Sequence, residues 1–152
     1  MLLLDTNHCS HIMARDEAVL KQLAANAHAG TAISVISEGE LFYMAERSER
    51  RDGNLIRVRE FLDGVRIYSI NSTTAEIYGR LKRDIFERFA PKEKAKRRHI
   101  TTVNLGFDDN DLWIAAVALQ HGLTVVSHDD DFVRMKTVSS FSLMDWISGT
   151  GL

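Results

Sequence analysis

Residues 110–127, NDLWIAAVALQHGLTVVS, contain the clearest helix signal of the chain, followed directly by a strand signal. The first part of this stretch predicts a helix over Asp111–His121, because apolar residues recur there at helical spacing. Gly122 ends that helix, and Leu123–Ser127 follows at once as a short apolar strand. A helix joined to an apolar strand by a single glycine is typical of an α/β protein, in which helices cover a mostly parallel sheet.

The same alternation of strand and helix extends over the rest of the chain. Short apolar or β-branched runs predict strands at Met1–Asp5, Thr31–Val35, Val65–Ile70 and near Ser140–Met144. Periodic runs between them predict helices at His8–Met13, Glu17–Ala29, Ser37–Glu46 and Asn54–Leu62. A further helix is predicted to open with a capping box at Thr73–Glu76 and to run to about Phe89. Strands separated by helices predict a three-layer α/β/α sandwich around a central, mostly parallel sheet.

The composition excludes several classes of protein. With 152 residues the chain fits one domain, predicted to span residues 1–152, and can bury a substantial core. No apolar run approaches the roughly 20 residues of a membrane span, and the opening MLLLDT lacks the features of a secretory signal. The single cysteine, Cys9, excludes an internal disulfide. We therefore expect a cytoplasmic protein without a membrane partner.

Positive charge is concentrated in one segment, although the formal net charge of the chain is −2. Between Arg80 and Arg98, nine residues are Lys or Arg and three are acidic. We interpret the region around 90–107 as a basic insertion that binds RNA, since cations that meet phosphates bind through counterion release. The alternatives are a solvated surface and a docking surface for an acidic protein. The candidate RNA-binding residues are Lys92, Lys94, Lys96, Arg97 and Arg98.

Four carboxylates from distant parts of the chain are predicted to gather at one edge of the sheet. Asp5 and Asp129 follow predicted strands, and ligands of open parallel sheets bind outside the carboxyl ends of the strands. Glu40 lies near the start of the helix after the second strand. Asp111 opens the helix before the Leu123 strand, and it joins the others if that end of the helix reaches the same edge.

Such a cluster is unfavourable by itself, because the negative charges repel one another and raise one another's pKa values. A divalent cation removes this cost, and oxygen ligands favour Mg²⁺ or Mn²⁺ over zinc. Such an ion can bind a phosphate oxygen, activate a water and stabilise the leaving oxyanion. The four acids therefore predict a metal-dependent site for the hydrolysis of a phosphodiester.

Each acid also has a purely structural interpretation. Ser37–Glu40 matches the capping-box pattern, so Glu40 could cap its own helix. Asp5 could cap the first helix, Asp111 could complement a helix dipole, and Asp129 could form part of a turn. The residues alone leave these alternatives open.

Two other groups of reactive residues are weaker evidence for a functional site. His8, Cys9 and His11 are zinc-ligand types, but no second cysteine or distant histidine pair completes a structural zinc site. Ser127-His128-Asp129 contains the residue types of a hydrolase triad. Adjacent residues at a strand end face opposite sides, so these three cannot act together.

Four segments spread over nearly the full length resemble a known family. They are LLLDTN at residues 2–7, SVISEGEL at 34–41, NDLWIAAVALQHGLTVVS at 110–127 and HDDDF at 128–132. In order and approximate spacing they resemble PIN-domain ribonucleases, specifically VapC-type toxins of bacterial toxin–antitoxin pairs. The chain departs from the family in the run at residues 86–111, which is longer and more basic than the usual link.

The resemblance implies a PIN-like sandwich and an endoribonuclease that cleaves structured RNA, such as tRNA or ribosomal RNA, and so inhibits translation. It further implies a homodimer and a cognate antitoxin, whose tail would bind across the acidic groove. The four acids would be ligands of Mg²⁺ or Mn²⁺ or would position water. Three residues would support them from outside: Asn7, Ser127 and Asp131.

Two other functions are compatible with the sequence. A non-catalytic PIN-like module would keep the fold and use Lys92–Arg98 to hold RNA or a protein, although the presence of all four acids argues against it. A phosphatase for small phosphoesters is the second, and no nucleophile motif supports it.

Overall fold

A central parallel sheet organises the computed structural model, which describes residues 1–147. The strands are β1 (Leu2–Leu4), β2 (Thr31–Ser34), β3 (Arg66–Tyr68), β4 (Thr124–Val126) and β5 (Ser142–Met144). All neighbouring pairs are parallel, in the spatial order β3-β2-β1-β4-β5. The central strands are continuous apolar runs because both of their faces are buried.

Helices connect the strands and cover both faces of the sheet. They are α1 (Thr6–Met13), α2 (Glu17–Ala25), α3 (Val35–Glu46), α4 (Arg51–Leu62), α5 (Ser72–Phe89), α6 (Lys94–Arg97), α7 (Asp109–His121) and α8 (Asp130–Met135). Two short 3₁₀ turns lie at Ala27–Ala29 and Val103–Leu105. Within residues 1–147, no helix combines the length and apolar character that crossing a bilayer requires.

Alternating strand side chains divide the core into two clusters. On one face, Leu3 and Val125 pack with buried residues of α5, α7 and α8. On the other, Leu4 and Val126 pack with buried residues of α1 to α4. The predicted three-layer α/β/α sandwich is confirmed, and its sheet is parallel throughout the described residues.

The strand order creates a crevice next to the central strand. After β1 the chain forms β2 and β3 on one side, and then crosses to form β4 and β5 on the other. Such a reversal between neighbouring strands is where open α/β sheets bind ligands, outside the carboxyl ends of the strands. The residues that follow β1 and β4 therefore face each other across a ready-made crevice.

The end of the segment between α5 and α7 is held in place by one arginine. The Arg134 guanidinium donates to the carbonyl oxygens of Leu105 at 2.7 Å and Gly106 at 2.9 Å. It also lies 3.8 Å from the centre of the Phe107 ring. Gly106 adopts a left-handed conformation with φ of 77°, which favours glycine. These contacts fix the chain just before α7 begins.

Two helix starts differ from the sequence-based predictions. The interpretation of Ser37–Glu40 as a capping box is wrong, because α3 begins at Val35 and Ser34 accepts from the Ser37 backbone N–H at 3.1 Å. The Thr73–Glu76 box is also wrong. Asn71 caps α5 and exchanges bonds with Thr74, whose fully buried side chain fixes the register of the cap.

Other boundaries shift for local reasons. The second helix ends at Ala25 instead of Ala29, because the chain tightens into a 3₁₀ turn before Gly30, where φ is 68°. The short helices α6 and α8 were not predicted, since four and six residues are too few to show a helical period. The remaining predicted elements are present with ends displaced by a few residues.

The cap of α5 gives a test of the fold. We expect Asn71→Ala to lower the free energy of unfolding by about 1–2 kcal/mol. The reason is that the Asn71 oxygen accepts from the backbone and hydroxyl of Thr74 and from Gln120. Urea unfolding measures this. The control Glu76→Ala, in the exposed residue of the rejected box, is expected to change it by less than about 0.5 kcal/mol. Equal losses would contradict the assigned cap.

Candidate active site

A cleft of about 240 Å³ opens at the carboxyl edge of the sheet. The four acids singled out from the sequence all line it: Asp5, Glu40, Asp111 and Asp129. The remaining lining residues come from α1 and α3, and they are Thr6, Asn7, Tyr43 and Met44. The fold thus brings together carboxylates that are separated by up to about 120 residues in the chain.

Asp5 enters the cleft from the end of β1 and is buried, with 3% of its surface exposed. It is also the N-cap of α1, so the structural interpretation of this residue is correct as well. Its Oδ1 atom accepts the backbone N–H of His8 at 2.7 Å and lies 2.9 Å from Nδ1 of the His8 ring. Both of these bonds fall on the same oxygen, which leaves Oδ2 for another ligand.

Three carboxylates on the β4 side form the tightest group. Asp111, Asp129 and Asp131 each offer one oxygen, and these atoms all lie within 4.8 Å of one another. Asp129 follows β4 and caps α8, with Oδ1 accepting the Asp131 backbone N–H at 2.8 Å. Asp111 lies in the first turn of α7, whose N-terminus reaches the same edge of the sheet. The group contains only oxygen donors, as Mg²⁺ and Mn²⁺ prefer.

Burial and the crowding of negative charge in the cleft raise the pKa of Asp111. Burial first, and then the negative charges of Asp129, Asp108, Asp5 and Asp131, raise the pKa of Asp111 to about 8. Without a compensating charge, the site therefore favours a proton on Asp111 near neutral pH. A divalent cation would supply the missing positive charge, so the residues fit a metal ion of this class.

Glu40 is held differently from the three aspartates. One oxygen accepts the Thr6 hydroxyl, and the other accepts the Asn110 side-chain amide at 2.7 Å. Glu40 therefore connects α1, α3 and α7 around the cleft. The sequence analysis missed the roles of Thr6 and Asn110, although each stands directly beside a predicted acid, Asp5 or Asp111.

The three residues predicted to support the acids also lie at the cleft or beside it. Asn7 lines the cleft and is exposed. Ser127 is buried, and its hydroxyl accepts the backbone N–H of Asp129 at 3.0 Å. Asp131 accepts the Asp108 backbone N–H at 3.0 Å and pairs with Arg134 at 3.0 Å. Burial nevertheless raises the pKa of the Asp131 carboxyl above its ordinary value.

The basic segment lies apart from the lining of the cleft. Four of its five predicted cations are exposed: Lys92, Lys94, Lys96 and Arg98. Arg97 is held inward, since it donates to Glu87 at 2.7 Å and covers the Phe86 ring at 4.9 Å. The four exposed cations are available to bind a polyanion, whereas Arg97 is less available because it is paired with Glu87.

Comparison with known proteins agrees with this architecture. A family model described as "PIN domain" matches residues 2–138. No protein among curated sequences matches the chain. Similar solved structures include VapBC2 from Rickettsia felis bound to a promoter DNA fragment, with 22% identity, coverage of 95% of this chain and 98% of that chain, and a TM-score of 0.75. DNA-bound VapBC from Salmonella typhimurium has 23% identity, coverage of 95% and 97%, and a TM-score of 0.73. These likenesses concern the fold.

The raised pKa of Asp111 predicts how stability depends on pH in EDTA. The folded-state pKa of about 8 lies above the unfolded value of about 3.9, so between them the folded protein binds the extra proton. The free energy of unfolding is therefore expected to fall as pH rises through this range. Asp111→Asn should reduce that fall, and urea unfolding at several pH values measures it.

The exposed residue Asp63, at the end of α4, offers a matched control. Asp63→Asn should leave the pH profile of the wild-type protein unchanged. Parallel profiles for the wild type and Asp111→Asn would contradict the electrostatic description of the cleft.

Proposed function

We propose, since this chain belongs to the PIN domain family, that it is a metal-dependent endoribonuclease and the toxin of a toxin–antitoxin pair. The observation that carries the proposal is the cleft, in which oxygens of Asp111, Asp129 and Asp131 lie within 4.8 Å of one another and Asp5 faces them. This arrangement is costly for folding, and a phosphodiester-cleaving metal site explains why it is present.

Asp5, Asp111 and Asp129 would hold Mg²⁺ or Mn²⁺, with Asp131 beside them. When bound, the cation would supply a Lewis acid for a phosphate oxygen and an activated water. Asp111 would give up its proton as the ion binds. Glu40 keeps α1, α3 and α7 at a fixed spacing through Thr6 and Asn110. Hydrolysis would add water across the P–O bond with no covalent intermediate.

The substrate in this proposal is structured RNA, such as tRNA or ribosomal RNA, and its cleavage would inhibit translation in the cytoplasm. The exposed cations Lys92, Lys94, Lys96 and Arg98 support a polyanionic substrate. They would contact phosphates and position the RNA, while the cleft would receive the bond that is cut.

The partner would be an antitoxin protein. One solved structure of similar fold is a toxin–antitoxin complex from Klebsiella pneumoniae, and another is a member of the VapBC family of toxin–antitoxin systems. In this chain, an apolar groove of about 330 Å³ between α1, α3 and α4 suits an amphipathic segment. Met44 lines both this groove and the acidic cleft. A bound tail could therefore place an Arg among the carboxylates, in the position of the metal. A homodimer of the toxin completes the proposal.

Cleavage of total RNA by the purified protein tests the catalytic proposal. With Mg²⁺ or Mn²⁺ we expect cleavage by the wild type, and a loss of at least about 100-fold in Asp5→Asn and in Asp111→Asn, because each removes an oxygen charge from the site. The matched control is Asp63→Asn, at an exposed residue that does not line the cleft, and it should cleave at the wild-type rate.

Equal cleavage by the wild type and both cleft variants would end the assignment. Binding of RNA without metal, together with no cleavage of any RNA offered, would instead favour a non-catalytic PIN-like binding module. Hydrolysis of small phosphoesters alone would favour a phosphatase.

The basic segment is tested by the salt dependence of RNA binding. For Lys94→Ala with Lys96→Ala we expect the slope of log K against log salt to fall by up to about 1.4, since each lost phosphate contact contributes about 0.7 with single strands. Fluorescence anisotropy with a labelled RNA measures the slope. Lys21→Ala with Arg59→Ala removes two exposed cations from α2 and α4 and should leave it unchanged. Equal slopes in both double variants would show that the segment does not contact RNA.

A further inference from the structure

His8 is a fully buried histidine that contacts a cleft carboxylate without lining the cleft itself. Its Nδ1 atom lies 2.9 Å from Oδ1 of Asp5, the oxygen that already accepts the His8 backbone N–H. A lone pair on Nδ1 would repel the carboxylate at this distance, so Nδ1 carries the ring proton and donates it. In this tautomer the other ring nitrogen, Nε2, is an acceptor.

A complementary donor lies on the ring of Trp146, which packs against His8. His8 Nε2 and Trp146 Nε1 are both buried, and neither has a hydrogen-bond partner among residues 1–147. The two rings pack edge to face, with centroids 6.0 Å apart and an interplanar angle of 75°. An indole N–H can only donate. Since a buried polar group without a partner is unfavourable, a donor and an acceptor left over on two neighbouring rings indicate that they belong together.

We propose that Trp146 and His8 form a polar chain that fixes the carboxylate of Asp5. The indole N–H of Trp146 donates to His8 Nε2 through one bridging buried water, and His8 Nδ1–H donates to Asp5 Oδ1. Oδ1 is thereby occupied, and Oδ2 is the oxygen that meets a cation in the cleft. Both are positioning residues, because partners behind a ligand orient it and tune its affinity. This inference rests on the proposed metal site.

The capping of α1 by Asp5 does not by itself explain why residue 8 is a histidine. The backbone N–H of His8 satisfies the capping oxygen of Asp5, so an apolar side chain at this position would fill the same space. The ring adds a second bond to the same oxygen and buries a nitrogen against Trp146, a residue of the apolar core. A bond that orients Asp5 offsets the cost of burying that nitrogen.

Three variants distinguish the orientation of the Asp5 carboxylate by His8 from the packing of the buried His8 ring. His8→Leu removes the donor and keeps most of the volume, whereas His8→Asn keeps an N–H near the position of Nδ1. Trp146→Phe removes the indole N–H and keeps an aromatic ring. Trp113→Phe is the matched control, because it makes the same substitution in a tryptophan that contacts a different ring. Trp113 stacks on Tyr78, between α5 and α7, with the ring centroids 3.9 Å apart.

The measurement is Mn²⁺ affinity without RNA, followed by electron paramagnetic resonance. We expect His8→Leu to weaken it by about 10- to 100-fold, and Trp146→Phe by several-fold in the same direction. His8→Asn should stay within about threefold of the wild type, and Trp113→Phe should match it. Wild-type affinity in His8→Leu, or no Mn²⁺ binding by the wild type, would overturn the proposal.

Nitrogen-15 NMR of the metal-free protein gives a second readout that does not depend on metal or on cleavage. The His8 proton should be found on Nδ1, and a proton on Nε2 alone would overturn the proposal. If His8→Leu does not fold, unchanged Mn²⁺ affinity in Trp146→Phe would overturn it as well. A protein that passes these tests and cuts no RNA would contradict the proposed nuclease function and leave the role of His8 intact.

Discussion

Carboxylates crowded at the carboxyl edge of the sheet repel one another, and the residues around them must compensate for this repulsion. The crevice between β1 and β4 forces Asp5, Asp111 and Asp129 into one cleft, and the cost appears as a pKa of about 8 for Asp111. Around the cleft, neighbouring side chains donate to the acids. Arg134 contacts Asp131, Asn110 contacts Glu40, and His8 contacts Asp5. The helices α1, α7 and α8 each supply a side-chain donor to one of the acids, which offsets part of the repulsion.

Helix N-termini are part of the same compensation. Asp5 caps α1, Asp129 caps α8, and Asp111 lies in the first turn of α7. The positive end of a helix dipole stabilises a nearby anion, so three helices begin where the negative charge collects. The structural and functional interpretations of these aspartates are therefore compatible, since a capping carboxylate uses one oxygen for the helix and keeps the other for the cleft.

Sequence reasoning succeeded where geometry is local or is imposed by the sheet. The period of Asp111–His121 predicted α7, and the parallel sheet predicted that residues after β1 and β4 would meet. It failed where two local patterns competed, as at the start of α5, where Asn71 caps in place of Thr73. The bond from Asn110 to Glu40 spans 70 positions. It depends on how the helices pack, and no spacing in the sequence encodes it.

The central claim is that the acids of the cleft share a divalent cation. Anomalous X-ray scattering at the manganese edge, from crystals of the protein soaked in Mn²⁺, measures whether they do. If they do, we expect a peak in contact with oxygens of Asp5, Asp111 and Asp129, at distances of about 2 Å. An empty cleft in crystals that bind Mn²⁺ elsewhere, or a cleft whose carboxylates have moved apart, would contradict it.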